Sequence, residues 1–260
     1  MTLSQKSKDI LELVFMTGLD AFANAHRLHS SLNSFGGWEK SSSYLRHMRS
    51  MREKGLISWQ DSSEKIAWVP QLTQTGKASL PESIDPTSFW NQDWSGNWRT
   101  LTFDLPADER KERKRLNRWL QENKFGHLQG SLWLTARKYE DWSTQLGSLN
   151  IDPRSVIFIE GKPLGNLTDA LIVEKAWDFT HIANLQEEYL RFLENRTPIA
   201  AQFSSQDFAA WFRDESELWR SVMSSDPLLP SPLHPANYQG QLCWQKRRSA
   251  FSPWRDILCS

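Results

Sequence analysis

Apolar and polar positions in the first third of the chain predict helices followed by short strands. Apolar side chains spaced three and four residues apart predict helices over residues 7–17, over residues 20–32 and from about residue 39 to residue 55. Short apolar runs at residues 57–60 and 66–69, separated by a polar turn, predict a hairpin. Three helices and a hairpin in this order are the arrangement of a winged helix-turn-helix.

The middle of the chain alternates strands with helices. Residues 100–105 place apolar and polar side chains on opposite sides, as in a strand buried on one face, and a helix is predicted over residues 107–123. A strand pair around residues 129–131, another helix and the apolar run at residues 156–159 follow. The order strand, helix, two strands, helix, strand predicts a ferredoxin-like domain.

The last third is mainly helical by the same criterion, with apolar stripes over residues 180–195 and 203–222. Residues 81–86 contain Pro, Glu, Ser and Asp without periodicity, which is typical of a linker. The fold class predicted is therefore α+β. Its domains are a winged helix-turn-helix over residues 1–80, a central ferredoxin-like domain over residues 88–176 and a helical C-terminal domain over residues 177–260.

The third predicted helix has the two faces that a helix in a DNA groove requires. Tyr44, Leu45, Met48 and Met51 share one arc. The opposite arc carries Ser42, Ser43, Arg46, Arg49, Ser50 and Lys54. Arg46 is the leading candidate for a base contact, and Lys65 in the hairpin would suit a phosphate. The alternative is an ordinary amphipathic helix with a solvated basic face.

A second basic surface lies on the helix of the central domain. Its apolar stripe contains Leu116, Trp119 and Leu120, while the opposite side carries the candidate phosphate contacts Lys111, Lys114 and Arg118. Interleaved acidic residues make a solvated surface helix the alternative. The chain has 31 basic and 31 acidic residues, so total charge neither requires nor excludes a nucleic-acid partner.

Cysteine content and the distribution of apolar residues indicate which cofactors and which cellular compartment to expect. Two cysteines without zinc-ligand spacing predict neither a disulfide framework nor a metal site, and no cofactor is expected. The N-terminus lacks the form of a signal peptide, and no apolar run approaches the roughly twenty residues that cross a bilayer. A cytoplasmic protein with no membrane partner is expected.

Three segments resemble a known family: WSGNWRTLTFDLP with its arginine-rich helix, FGHLQGSLWL and VIFIEG. Together they resemble the Cas2-like central domain of the PaaX family, the phenylacetic-acid degradation repressors. Near the C-terminus, SDPLLPSPLHPANYQG is similar to that family's D-P-x-L-P-x-x-L-x-P-x-x-W-x-G signature, with Tyr238 where a tryptophan is usual.

The resemblance implies a homodimeric transcriptional regulator, usually a repressor of catabolic genes. Such a regulator binds a double-stranded DNA operator and is released by an aryl-CoA or acyl-CoA thioester. Tyr238 and the basic run at residues 246–248 differ from the family's usual pattern. Two alternatives therefore stay open: a regulator with another effector, or a regulator that senses nucleic acid and has no CoA effector. Arg247 and Arg248 are candidate contacts to the phosphates of CoA or DNA, with a solvated basic patch as the alternative.

The rival functional class is catalytic. Cas2 proteins include metal-dependent nucleases with an aspartate at the end of the first strand, and Asp104 occupies that place here. A dimer could bring two such carboxylates together on Mg²⁺. The alternative is that Asp104 only ends a strand and accepts N–H groups of the next helix. One carboxylate without a second ligand favours a protein that is not an enzyme.

Overall fold

The computed structural model describes residues 5–17, 41–58, 71–80, 84–106, 108–138, 142–197 and 205–259. Contacts divide the chain into two compact units. The first contains Met1–Asp85, Leu185–Ser224 and Gln239–Ser260, and the second contains Pro86–Asn184 and Ser225–Tyr238. The residues predicted to form a separate C-terminal domain are thus divided between the two units, because some of them pack with the N-terminal helices and others with the central sheet.

The first unit begins with helices α1 (Gln5–Thr17) and α2 (Ser41–Glu53). Strands β1 (Ile57–Ser58) and β2 (Gln71–Leu72) pair antiparallel, with Ile57 opposite Leu72, and the short helix α3 (Gln74–Ala78) follows. The helix predicted at residues 20–32 and the strand predicted at residues 66–69 lie outside the described residues. A winged helix-turn-helix therefore remains a prediction for this part of the chain.

Three long helices supply the rest of the first unit or continue into it: α8 (Phe179–Arg196), α9 (Ser205–Ser225) and α10 (Gly240–Cys259). Helix α1 packs against α10. The apolar face of α1 is fully covered, since Ile10, Leu11 and Leu13 are at most 1% exposed. Aromatic rings from all four helices fill the interior, including Phe15, Tyr189, Trp219, Trp244 and Phe251.

The second unit is built on a four-stranded antiparallel sheet. Its elements are α4 (Thr87–Trp90), β3 (Trp98–Phe103), α5 (Arg110–Glu122), β4 (Gly126–Gln129), β5 (Leu132–Thr135), α6 (Trp142–Ser148), β6 (Val156–Gly161) and α7 (Asp169–Ala176). The strand order is β4-β5-β3-β6, and every neighbouring pair is antiparallel. This is the ferredoxin-like order that the sequence predicts.

The two faces of this sheet bury different cores. One face, with Leu101, Phe103 and Trp133, packs on helices α5 and α6. The opposite face, with Trp98 and Leu134, packs on α7, the start of α8 and the segment after α9. Side chains of β3 therefore alternate between the two faces of the sheet. Both faces contain buried residues, whereas the sequence predicts burial on one face.

A cluster of indoles fixes helix α7 on the second face. The Nε1–H groups of Trp94 and Trp98 donate to the two carboxylate oxygens of Asp169, at 2.8 and 2.7 Å. The Trp98 ring also packs on Trp177, with centroids 6.1 Å apart. Gly126 lies beneath Trp177, where a Cβ atom would come within 2.5 Å of the indole. The WSGNW segment and the first glycine of FGHLQG thus have packing roles.

Helix α5 begins at Arg110, three residues later than the sequence pattern predicts. The N–H of Glu109 donates to the Pro106 carbonyl at 3.1 Å, which is a turn rather than the first helical bond. The guanidinium of Arg113 donates to the Leu105 carbonyl at 2.6 Å. This bond satisfies the carbonyl at the strand end and ties it to the helix.

Candidate nucleic-acid interface

Helix α2 separates apolar and basic side chains. Met48 and Met51 are 2% and 1% exposed, whereas Arg46, Arg49 and Lys54 are exposed and Ser50 is half-buried. Ser42 and Ser43 lie within the helix, but their side chains are not among those described, and Lys65 lies outside the described residues. Arg46, Arg49 and Lys54 thus lie on a solvent-facing surface, where a phosphate or base could reach them, and Arg52 is exposed as well.

The end of α2 is set by a glycine. Gly55 has φ +67° and donates to the Arg52 carbonyl at 2.8 Å, while Leu56 donates to the Met51 carbonyl at 2.9 Å. This pair of bonds is the Schellman termination, which favours glycine at the left-handed position. The chain then enters β1 directly, so Lys54 lies at the junction between helix and hairpin.

The LTQTG segment holds the hairpin against this turn. The Thr73 hydroxyl donates to the Gly55 carbonyl at 2.6 Å and accepts the Gly76 N–H at 2.9 Å, which caps α3. A Cβ atom on Gly76 would lie 1.9 Å from the Leu56 carbonyl oxygen. Only glycine fits this close approach without backbone movement, which explains the residue type in the segment.

Helix α5 presents the second candidate surface. Leu116, Trp119 and Leu120 are buried, as the sequence predicts. Lys111, Lys114 and Arg118 are exposed and make no ion pair with any described residue. Arg115, by contrast, pairs with Glu112 at 2.9 Å. The three unpaired cations retain the charge that phosphate contacts would need.

Arg247 is removed from the candidate phosphate contacts because it lies inside the first unit. It is 0% exposed, and its Nε and Nη2 groups donate to Glu215 at 2.7 and 3.1 Å. Its Nη2 group also donates to Glu12. The guanidinium lies over the Trp219 ring, 4.8 Å from the centroid. An external phosphate cannot reach this group in the described fold.

The buried network also changes the pKa values of its members. Burial raises the pKa of Glu12, while the guanidinium of Arg247 opposes that rise. Burial lowers the pKa of Arg247, but the facing carboxylates of Glu215 and Glu12 outweigh it and raise the value overall. The Tyr189 hydroxyl donates to Glu215 at 2.5 Å, and burial raises the pKa of that hydroxyl well above its usual value. Arg247 is thus a permanently charged structural group.

Arg248, the neighbouring cation, is exposed. It borders a shallow cleft of about 430 Å³ with Met16, Trp244 and Ser252. No hydrogen bond or ion pair joins it to the described part of the chain. Arg248 therefore stays a candidate phosphate contact, whereas Arg247 does not.

Asp104 is exposed just after β3, at the edge of a cleft of about 640 Å³. Asn117, His127 and Ser131 line the same cleft. His127 Nε2 lies 2.8 Å from the Gly130 carbonyl oxygen, so Nε2 carries the proton of that bond. The Asp104 side chain accepts no N–H of α5, contrary to the capping role considered from the sequence. Among the described residues, no three acidic, histidine or cysteine side chains gather where a metal ion could bind.

The proline-rich signature is organised around a buried carboxylate that the sequence did not single out. Asp226 is 1% exposed and accepts the Tyr238 hydroxyl at 2.5 Å and the Leu228 N–H at 2.7 Å. Tyr238 and His234 pack on Trp90, with ring centroids 6.2 and 6.4 Å away. The pairing could have been sought in the sequence only through the signature itself, since residues 226 and 238 share no periodicity.

Comparison with known proteins supports the family resemblance for the central part of the chain. Residues 91–173 match the family model of the PaaX protein central Cas2-like domain. The fold is similar to that of the uncharacterised protein Rv0674 from Mycobacterium tuberculosis, with a TM-score of 0.56, 17% sequence identity and coverage of 96% of both chains. At this identity the likeness concerns the fold alone.

No protein of curated function matches the chain. None of the helices in the described part has the length and apolar content of a bilayer-spanning segment. The family match covers the sheet from just before β3 to the middle of α7, and the observed strand order agrees with it. Residues 91–173 are therefore similar in sequence to the central Cas2-like domain of PaaX proteins, and they form a ferredoxin-like sheet.

Proposed function

We propose that this protein is a DNA-binding transcriptional regulator, acting as a homodimeric repressor in the cytoplasm. The observation that carries the proposal is the two-faced helix α2, which buries Met48 and Met51 and exposes Arg46 and Arg49. A helix that reads a major groove needs this division, because its apolar side must pack while its outer side meets base edges and phosphates. The similarity of residues 91–173 to the PaaX central domain adds support, because PaaX proteins are transcriptional regulators.

In this proposal Arg46 contacts a base edge, with Ser42, Ser43, Arg49 and Ser50 beside it. Lys54 and Lys65 contact phosphates. The exposed cations of α5 and Arg248 give further phosphate contacts. Each phosphate contact would increase affinity without specifying sequence, whereas Arg46 would contribute to both.

The test starts from the full-length protein and an operator selected from a random-sequence duplex library. We expect Arg46→Ala to weaken binding of the selected duplex by about 5- to 150-fold at fixed salt, the effect of losing about 1–3 kcal/mol of base contact. Fluorescence anisotropy measures the affinity. Arg213→Ala, which removes an exposed cation from α9, is the matched control and should bind as the unsubstituted protein does.

Two results would contradict the proposal. One is an unchanged affinity for Arg46→Ala. The other is a loss of binding only when Lys111, Lys114 and Arg118 are replaced together, which would move the DNA surface to α5. Circular dichroism melting of each variant separates a binding defect from misfolding.

We further infer that an acyl-CoA or aryl-CoA thioester releases the protein from its operator, on the family resemblance. Phenylacetyl-CoA titrated into the protein–operator complex should lower the anisotropy, whereas free CoA should not. Absence of release by this and other thioesters would favour a regulator that senses nucleic acid or has no CoA effector. A nuclease acting through Asp104 would instead cleave DNA in Mg²⁺, and Asp104→Ala would abolish the cleavage.

A further inference from the structure

Strand β6 leaves apolar side chains exposed at the edge of the central sheet. It pairs with β3 through six residue pairs, and no other described strand pairs with it. Val156 and Phe158 face the core beneath α5 and α6. Ile157 and Ile159 point to the other face and are 58% and 57% exposed. Two adjacent β-branched apolar side chains are thus uncovered on the edge strand.

Apart from the charged residue Glu160, the edge lacks the devices that usually prevent strand pairing. Protected edges carry lysine or proline, contain a bulge or lie under another element. The sequence Val156–Gly161 contains neither lysine nor proline, and its pairing with β3 shows no register shift. In the part of the chain that the structure describes, only β3 pairs with β6, and α5 and α6 cover only its core-facing side chains. No described element therefore blocks this edge from pairing with another strand.

We propose that β6 pairs antiparallel with β6 of a second copy of this chain, around a two-fold axis at Phe158. In this register each Ile157 faces the second copy's Ile159 on the exposed face. Val156 faces the second copy's Glu160 on the helix face. The same contact is made twice, as a two-fold interface requires. A shift of the pairing by one residue would put each isoleucine opposite a core-facing residue of the second copy. Because side chains alternate between the two faces, only shifts by an even number of residues keep the isoleucines opposite each other's face.

The charges of the strand suit a second copy. Glu160 is the only charged residue in β6, and it is already paired with Arg99 of its own chain at 2.8 Å. Two copies of the strand therefore meet without an unpaired like charge between them. Backbone groups of the edge would gain hydrogen bonds, and the exposed isoleucines would gain cross-strand partners. The paired sheets would form one sheet of eight strands.

This pairing would form the interface of the dimer in the proposed function. It rests on the proposed function for the existence of a dimer and not for DNA binding. Sedimentation velocity of the full chain without DNA tests it, whereas DNA binding is tested separately at Arg46. We expect the unsubstituted protein to dimerise and Ile159→Lys to raise the dimer dissociation constant at least tenfold. Leu171→Lys, which replaces a 40% exposed leucine on α7, should dimerise normally. A monomeric unsubstituted protein, or a normal dimer of Ile159→Lys, would overturn the proposal.

Cysteine crosslinking tests the register, and keeps the proposal testable if Ile159→Lys misfolds. In a Cys259→Ser background, Ile157→Cys and Ile159→Cys proteins are mixed and oxidised with copper phenanthroline. Opposed residues of antiparallel strands have Cα atoms about 4.5–5.5 Å apart, within the range for a disulfide. We expect crosslinked dimers in the mixture and little product from either variant alone. Crosslinking of a single variant without mixed product would overturn the register.

Discussion

At the scale of single residues, a buried carboxylate connects the two ends of the proline-rich signature. Asp226 accepts bonds from Leu228 and from Tyr238, and Leu228 has the left-handed φ of 54°. Burial raises the pKa of Asp226, although the bonds from Tyr238 and Leu228 oppose the rise. The signature therefore describes a hydrogen-bonded corner.

The raised pKa of Asp226 gives the free energy of unfolding a specific pH dependence. Because the folded state holds this proton more tightly than the unfolded state, the contribution is complete below about pH 3.9 and decreases as pH rises through the folded pKa. Asp226→Asn cannot ionise. We therefore expect the stability of this variant, relative to the unsubstituted protein, to increase between pH 4 and 7 in urea denaturation. Exposed Asp214→Asn is the control, and parallel pH profiles for Asp226→Asn and the unsubstituted protein would contradict the assignment.

At the scale of elements, the sequence predicts which side of a helix or strand is buried better than it predicts what that side packs against. The spacing of Met48 and Met51 correctly predicts the buried side of α2. The apolar run of β6 correctly predicts a strand, but periodicity cannot tell whether one or both faces are covered. Arg247 shares the stripe of Cys243, Trp244, Ala250 and Phe251, so helical spacing contained the signal for its burial. Its partner Glu12 lies 235 residues away, beyond the reach of any local pattern.

Arg247 connects three helices, and its removal should affect all of them. It joins Glu12 of α1 and Glu215 of α9 to α10, with all three side chains at most 3% exposed. We expect Arg247→Met to lower the free energy of unfolding by about 3–5 kcal/mol, because it removes the guanidinium that is paired with two buried carboxylates. Urea denaturation measures the change. Arg248→Met should leave the free energy of unfolding nearly unchanged, and a similar loss in both variants would contradict a specific role for the buried network.

At the scale of the whole molecule, the chain is not divided into consecutive domains. The first unit takes its helices from both ends of the sequence, and the second takes in Ser225–Tyr238 from between two segments of the first. Sequence reasoning assumes boundaries at linkers, and residues 81–86 agree with that assumption near Asp85. The later crossings occur within continuous helices or beside the proline-rich segment. No change of composition marks these positions, so the sequence contains no local signal for them.

The interleaved chain implies that the predicted DNA-binding segment depends on the C-terminal helices. Ile10, Leu11 and Leu13 of α1 are buried, α1 packs on α10, and Glu12 is paired with Arg247. A fragment of residues 1–80 would expose this apolar face and leave Glu12 without its counter-charge. We expect the fragment to lack a cooperative thermal transition by circular dichroism and to lose specific DNA binding. Adding a second fragment, residues 177–260, should restore part of the helical signal, because it supplies α10. A cooperative transition and full operator affinity for residues 1–80 alone would show instead that the N-terminal segment folds without those helices.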